Sequence, residues 1–292
     1  MKINAVTRVM AVIGDPIAHS LSPLMQNWFI EQTGVNAVYT AFHVTPDQIE
    51  NCVNGMRALG ISGFNVTVPH KAAVVGFADS LSPEVEQLGV ANTLHNQDGH
   101  VTAHVTDPVG FIESLGRERE RFEGASVLLF GAGGASTSVA YALGKLKIKA
   151  LYITDPATSR ANSLANMCRQ KFNLTKVTII ESPEPNINDI INSCDVLINT
   201  SPLGMHPLED KSVITDFTPI SSRHFIYDLV YNPGMTRLMQ LGKEQGARVQ
   251  NGLGMLIHQG LASFRIFTGE PFYLTPAQEQ DLQTIMNKAL GV

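Results

Sequence analysis

Residues able to grip a dinucleotide stand close together in Val127–Leu143, VLLFGAGGASTSVAYAL. An apolar strand there runs into a glycine-rich turn and then into a helix with small residues in its first turn. Gly131, Gly133 and Gly134 would let the backbone approach a pyrophosphate, and a helix N-terminus favours that anion through its free N–H groups and dipole. The spacing is GxGG, with Ser136 where a full GxGxxG would carry its last glycine. A tight strand-to-helix turn without a ligand would read the same way. The next strand, ALYIT, ends at Asp155, 24 residues after Gly131. A Rossmann unit places there the acid that bonds the adenosine ribose hydroxyls. A carboxylate repels a 2′-phosphate, Pro156 follows it, and the nearest positive charge is Arg160. NAD is therefore expected over NADP. An N-cap for the helix beginning near Ala157 is the structural alternative for Asp155.

Two later strand ends add polar groups at the carboxyl edge, where α/β sheets bind ligands. NTSPLGM offers Asn199, Thr200 and Pro202, and IYDLVYNP offers Asp228 and Tyr231. The first hundred residues hold three further clusters. GDPIAHSLSP brings Ser20 and Ser22 onto a loop, on one side of an extended segment by their period-two spacing. GFNVTVPHK runs off a strand end with Asn65, Thr67 and Lys71, and HVTDPVGF sets Asp107 before a helix. Solvation of the lysine and helix capping by the aspartate are the ordinary structural alternatives.

The elements that must position these groups alternate. Apolar, β-branched runs predict strands at Arg8–Gly14, Val38–Val44, Ser62–Val68, Val127–Phe130, Ala150–Thr154, Val177–Ile180, Asp195–Asn199 and His224–Val230. Between them lie helical stretches such as Pro23–Thr33, Pro46–Leu59, Ala135–Leu146 and Ser159–Phe172. That alternation predicts an α/β protein with parallel sheets covered by helices. A division falls near Asp107–Gly124, after which a fresh βαβ series begins. The last apolar helical stretches, Leu253–Phe267 and Pro276–Ala289, have no strand to follow and are expected to pack back on the first domain.

Composition bounds the class. The 292 residues are 44% hydrophobic and 16% charged, with a formal net charge of −5 and both signs scattered. No basic footprint for nucleic acid is visible. Cys52, Cys168 and Cys194 are far apart and odd in number, which argues against a disulfide framework or a metal site and fits a cytoplasmic protein. No stretch approaches ~18 apolar residues and the start has no signal-like apolar region, so neither membrane nor secretion is expected. A homodimer is the default assembly.

GDPIAHSLSP, NVTVPHK, GVANTL, VTDPVGF, GAGGAS, NTSPLGM and NGLGMLIHQ together resemble the successive motifs of the shikimate/quinate dehydrogenases, in order, from Gly14 to Gln259. The resemblance implies two α/β domains around a deep cleft. One is an N-terminal substrate domain over 1–107, completed by C-terminal helices over 250–292. The other is a Rossmann-type dinucleotide-binding domain over 108–249. It implies a nicotinamide cofactor and a cyclic polyol carboxylate as substrate. Position by position, Lys71 and Asp107 resemble the catalytic pair. Ser20 and Ser22 are similar to the hydroxyls that hold the substrate carboxylate. Thr67, Asn92 and Gln259 match ring-hydroxyl partners, and Tyr231 a substrate-contacting tyrosine. The turn Gly131, Ala132, Gly133, Gly134, Ala135, with Thr200 and Leu229, would line the cofactor, and Gly252 and Met255 would lie near the nicotinamide.

Oxidising a secondary alcohol needs a group that accepts its proton while hydride leaves the same carbon. An ordinary lysine is protonated at neutral pH, so Lys71 reads either as a proton acceptor or as a charged donor to the developing alkoxide. Departures from the family pattern are Gln26-Asn27 for HN, Val105 for the asparagine of NTD, and Asp155-Pro156-Ala157 for an NRT-like segment. They leave room for a differently substituted ring, an amino-substituted one for instance. A weakly active nucleotide-binding regulator is the reading from another class; the presence of both Lys71 and Asp107 argues against it.

Overall fold

Strand β1 (Arg8–Gly14) is buried from Met10 to Gly14, as a strand covered on both faces must be. In the computed structural model, which describes residues 3–181 and 186–291, it lies inside a sheet, parallel to β2 (Ala37–His43) and to β3 (Gly63–Val66). Helix α1 (Ser22–Thr33) connects β1 to β2, and α2 (Ile49–Ala58) connects β2 to β3. After them come β4 (Ser80–Leu81), α3 (Pro83–Leu88), β5 (Thr93–Gln97) and β6 (His100–His104). The sheet order is β2-β1-β3-β5-β6-β4, with β5 antiparallel to both neighbours.

This first sheet is therefore mixed, not parallel as the strand–helix alternation predicts. The cause is a two-residue hairpin at Asp98-Gly99, both with positive φ (52° and 88°), the geometry that matches the twist of paired strands. Strand β5 carries His95, Asn96 and Gln97 and shows little of the apolar alternation that marks a strand, although Val101 and Ala103 do alternate in β6.

Helix α4 (Asp107–Ser114) leads to a second sheet. The elements are β7 (Ser126–Phe130), α5 (Gly134–Lys145), β8 (Ala150–Thr154), α6 (Thr158–Lys171), β9 (Val177–Ile180), α7 (Ile187–Ser193), β10 (Val196–Asn199), β11 (Phe225–Asp228), α8 (Arg237–Glu244) and β12 (Arg248–Asn251). All of these strands run parallel in the order β12-β11-β10-β7-β8-β9. That is the doubly wound Rossmann arrangement, whose order reverses between β7 and β10. An aromatic cluster backs it: Phe111 meets Tyr227 at 5.0 Å and Phe122 at 6.0 Å between ring centroids, edge to face. Such pairs add about 0.5–1.5 kcal/mol beyond area burial.

The chain forms two compact units, Met1–Gly110 with Ile257–Ala289, and Phe111–Leu256 with Leu290–Val292. The divisions fall a few residues from 107/108 and 249/250 because α4 and α9 (Leu253–Thr268) run unbroken through them. From Ile257 on, α9 and then α10 (Pro276–Leu290) pack in the first unit. Gly63 leaves room for the Phe267 ring, and Gln26 Nε2 donates to the Gly260 carbonyl at 2.8 Å.

Candidate active site

In the first unit, the ends of β1 and β3 bring two loops to one sheet edge. Thr67 N–H donates to the Ile13 carbonyl at 3.0 Å, and Asp15 N–H to that of Val68 at 3.1 Å. Thr67 is half-buried there. Further along, Ala91 N–H donates to the Lys71 carbonyl at 2.8 Å, and Asn92 N–H to that of His104 at 3.1 Å. The hairpin thus sets Asn92 and Asp107 beside the loop that carries Lys71.

Lys71 Nζ donates to Asp107 Oδ2 at 2.5 Å, and Asn92 Nδ2 to Asp107 Oδ1 at 2.8 Å. Asn92 Nδ2 also reaches Gln259 Oε1 at 3.3 Å. Gln259 comes in on α9, whose backbone closes on Gly110: a Cβ at Gly110 would stand 2.7 Å from Gln259 N. Both carboxylate oxygens of Asp107 serve Lys71 and Asn92, which distinguishes this aspartate from an ordinary helix cap. Lys71 is correspondingly paired and not freely solvated, its side chain 30% exposed against 11% for Asp107. Here an ammonium and a carboxylate share a half-buried corner with two amides, an arrangement able to hold hydroxyls and move a proton.

The two serines depart from expectation. Leu21 is in the right-handed helical region (φ −83°, ψ −5°) and Ser22 opens α1, so the segment is a turn and not an extended strand. Ser20 Oγ accepts the Ser22 N–H at 3.2 Å within that turn. Period-two reasoning fails because Pro23 sets up a helix start just after. Sequence reasoning also missed the buried hydroxyls of Thr93, Thr106 and Ser263 behind Asn92. The available signal was the placement of Ser263 four residues after Gln259, on the same helix face.

In the second unit, the glycine turn is built as a dinucleotide loop needs. Gly131 has φ 103°, and a Cβ there would come 2.7 Å from Thr200 Oγ1, so the position demands glycine on both counts. Thr200 Oγ1 donates to the Phe130 carbonyl at 2.7 Å and meets Ser136 Oγ at 2.6 Å, while Gly133 N–H donates to Ser136 Oγ at 3.0 Å. Ser136 thus caps the turn where a third glycine would stand. A Cβ at Gly133 or Gly134 would meet nothing. The first-turn N–H groups of Gly134, Ala135 and Ser136, which have no intrahelical acceptor, open beside that space. These residues fit a pyrophosphate.

Asp155 ends β8 against this turn. Its Oδ2 accepts the Ala132 N–H at 2.8 Å; its Oδ1 accepts Ala157 N–H at 2.8 Å and Arg160 Nη2 and Nε at 2.8 and 3.2 Å. Burial works against the charge, but Arg160 and the Ala157 and Ala132 N–H groups outweigh it and hold the carboxyl below its ordinary value. Ala132, Thr137, Arg160 and Met167 help line a cavity of about 220 Å³ beside the turn. On the other side of the switch point, Leu229 N–H donates to the Asn199 carbonyl at 2.8 Å. Gly252 packs against Leu229, with no room for a Cβ, and Met255 is buried. Tyr231 lies in this second unit, in the loop after β11.

A mixed-sheet unit carrying a lysine–aspartate pair and a Rossmann unit carrying a glycine turn define a dinucleotide-dependent α/β enzyme class. Residues 12–94 match the shikimate dehydrogenase substrate binding domain, and residues 252–272 the shikimate 5′-dehydrogenase C-terminal domain. A shikimate dehydrogenase (NADP(+)) of Caldanaerobacter subterraneus subsp. tengcongensis is 38% identical over 273 residues, 93% of this chain and 95% of that protein. Among solved structures, shikimate 5-dehydrogenase from Listeria monocytogenes, in complex with shikimate and NAD, superposes with a TM-score of 0.89 at 29% identity, covering 98% of each chain. Quinate dehydrogenase from Corynebacterium glutamicum, in complex with NAD, gives 0.86 at 29%, covering 96% of this chain and 99% of that one. The chain belongs to the shikimate dehydrogenase family.

Proposed function

We propose that this protein is a nicotinamide-dependent dehydrogenase that interconverts a ring hydroxyl and ketone on shikimate, quinate or a close cyclic polyol carboxylate. The first unit is the substrate domain and the second the dinucleotide domain. The observation that carries the reading is the joining of Lys71, Asp107 and Asn92 by hydrogen bonds at one corner of the first unit, with Gln259 Oε1 3.3 Å from Asn92 Nδ2. A bound nicotinamide supplies the hydride acceptor or donor.

The chain's own groups do the rest. Lys71 and Asp107 hold the reacting hydroxyl and take its proton on oxidation, returning it to the oxygen on reduction. Asn92, Gln259 and Thr67 orient the remaining ring hydroxyls. The Ser20 and Ser22 hydroxyls hold the carboxylate, and Tyr231 is assigned a substrate contact on the family resemblance alone. The turn from Gly131 to Ala135, with Thr200, Leu229, Gly252 and Met255, holds the cofactor.

NAD is the cofactor proposed over NADP. The Asp155 charge stands at the ribose end of the turn, and Arg160, the adjacent cation, is already committed to it through two bonds. Three free cysteines support a reducing, cytoplasmic setting. A homodimer is proposed on symmetry grounds, for sedimentation to check.

The test is a matrix of oxidation rates for several cyclic polyol acids against NAD and NADP. Turnover of shikimate or quinate that needs the nicotinamide is expected. Saturable NAD binding without turnover of any ring acid would replace this reading with a regulatory one.

A further inference from the structure

Ser263, one helical turn past Gln259 on α9, is fully buried and is not among the groups proposed to bind substrate. Its hydroxyl sits at a junction. It donates to the Gln259 carbonyl at 2.9 Å and accepts from Asn65 Nδ2 at 2.8 Å, with Thr93 Oγ1 at 3.1 Å and Thr106 Oγ1 at 3.2 Å. Asn65 in turn accepts the Tyr39 hydroxyl at 2.7 Å. Burial pushes that phenol well above its ordinary pKa, so it remains a donor.

One assignment gives every proton a single acceptor. Ser263 has one proton, and the Gln259 carbonyl takes it. The Thr106 hydroxyl then donates to Ser263 Oγ, and Thr106 Oγ1 accepts from Asn92 Nδ2, 2.9 Å away. Thr93 Oγ1 and Thr106 N–H donate to Asn92 Oδ1 at 3.1 and 2.8 Å. With its oxygen held by two donors, the Asn92 amide cannot flip without burying unmatched groups. Its second N–H is thereby aimed at Asp107 Oδ1. A flipped amide would present oxygen to a carboxylate.

We propose that Ser263 is a positioning residue: it sets the Thr106 hydroxyl, which with Thr93 fixes the Asn92 amide and so the orientation of Asp107 toward Lys71. The inference rests on the reading of Lys71 and Asp107 as the proton-transfer pair.

Steady-state kinetics on wild type, Lys71→Ala, Ser263→Ala, Thr106→Val and the Ser263→Ala/Thr106→Val double variant test it, with melting temperatures alongside. Ser263→Ala and Thr106→Val should each lower kcat roughly five- to tenfold, as loss of one buried hydrogen bond would, with KM for the nicotinamide cofactor unchanged. The double variant should fall no further than the more affected single one, because both act through one bond. A kcat for Ser263→Ala within about twofold of wild type, whatever its melting temperature, overturns the proposal. So does a double variant whose losses multiply, which marks two separate packing defects. Should Ser263→Ala not fold, the nearly isosteric Thr106→Val decides by its own kcat. Wild-type turnover by Lys71→Ala would instead remove the underlying reading of the site. An inactive Lys71→Ala beside an unimpaired Ser263→Ala would remove only the role of Ser263.

Discussion

Asp155 is bonded to the middle of the glycine-rich turn, its Oδ2 accepting the Ala132 N–H at 2.8 Å while its Oδ1 carries Arg160 and Ala157. The acid at the end of β8 is thus a brace for the dinucleotide loop as well as a negative charge beside it. Only Oδ2 keeps spare acceptor capacity for a ribose hydroxyl.

The proposed preference for NAD rests on that charge. Wild type should use NAD with a kcat/KM at least about tenfold above that for NADP, a difference of about 1.4 kcal/mol. Asp155→Asn with Pro156→Arg should move the ratio toward NADP by releasing Arg160 and adding a second guanidinium. Steady-state comparison of both cofactors decides it, and equal or better use of NADP by wild type withdraws the preference.

Removing either member of the pair should stop most turnover. Lys71→Ala is expected to lower kcat by about 10²–10⁴, the range for a positioned proton-transfer group. Asp107→Ala should be as severe, because it also removes the acceptor of Lys71 Nζ and one of the acceptors of Asn92 Nδ2. Circular dichroism and melting temperature should show both variants folded; near-normal kcat for Lys71→Ala would contradict the assignment.

Asp228 predicts a pH dependence of stability. It is fully buried, and desolvation pushes its carboxyl up to about 6, although Thr236, Val230 N–H and Asn199 Nδ2 all donate to it. A carboxyl raised in the folded state binds its proton more tightly there than in the unfolded chain. Its ionisation therefore costs the fold stability as pH rises from about 4 through 6, by about 3 kcal/mol in all. The melting temperature of wild type relative to Asp228→Asn should be more favourable at pH 5 than at pH 7.5. A difference that does not change with pH would mean that Asp228 is already ionised at no cost.

Val105, the departure from the NTD pattern that its motif otherwise resembles, is buried, 8% exposed. Val105→Asn should bury an amide and cost about 1–3 kcal/mol, the penalty of an unsatisfied polar group. Ring-substrate preference should stay as it is. Thermal unfolding and the substrate matrix measure the two effects separately; a changed preference at unchanged stability would show that position 105 faces the ring.

Much of the second unit was legible because its signals are local. Continuous apolar runs such as Val127–Phe130 mark strands buried on both faces, and Gly131 is required by its own backbone angle and by the nearness of Thr200. The hairpin β5–β6 was not recognised, although Asp98-Gly99 announces such a turn and Val101 and Ala103 alternate in β6, because β5 with His95, Asn96 and Gln97 lacks apolar contrast. Strand β12, RVQN, was missed for a similar reason: it is a half-exposed edge strand with one strongly apolar residue.

The sequence by itself determined which groups exist and on which elements they ride: Lys71 after β3, Asp107 at the head of α4, the glycines after β7, Asp155 after β8. Those assignments depend on periodicity and turn chemistry within a few residues. Only the tertiary structure decided who meets whom. That Asp107 divides its oxygens between Lys71 and Asn92, that Asp155 spends its own on Ala132, Ala157 and Arg160, and that Ser263 stands behind Asn92 are matters of contacts between distant segments. A carboxylate has few lone pairs and a hydroxyl one proton, so their chemistry is set by which neighbours the fold delivers.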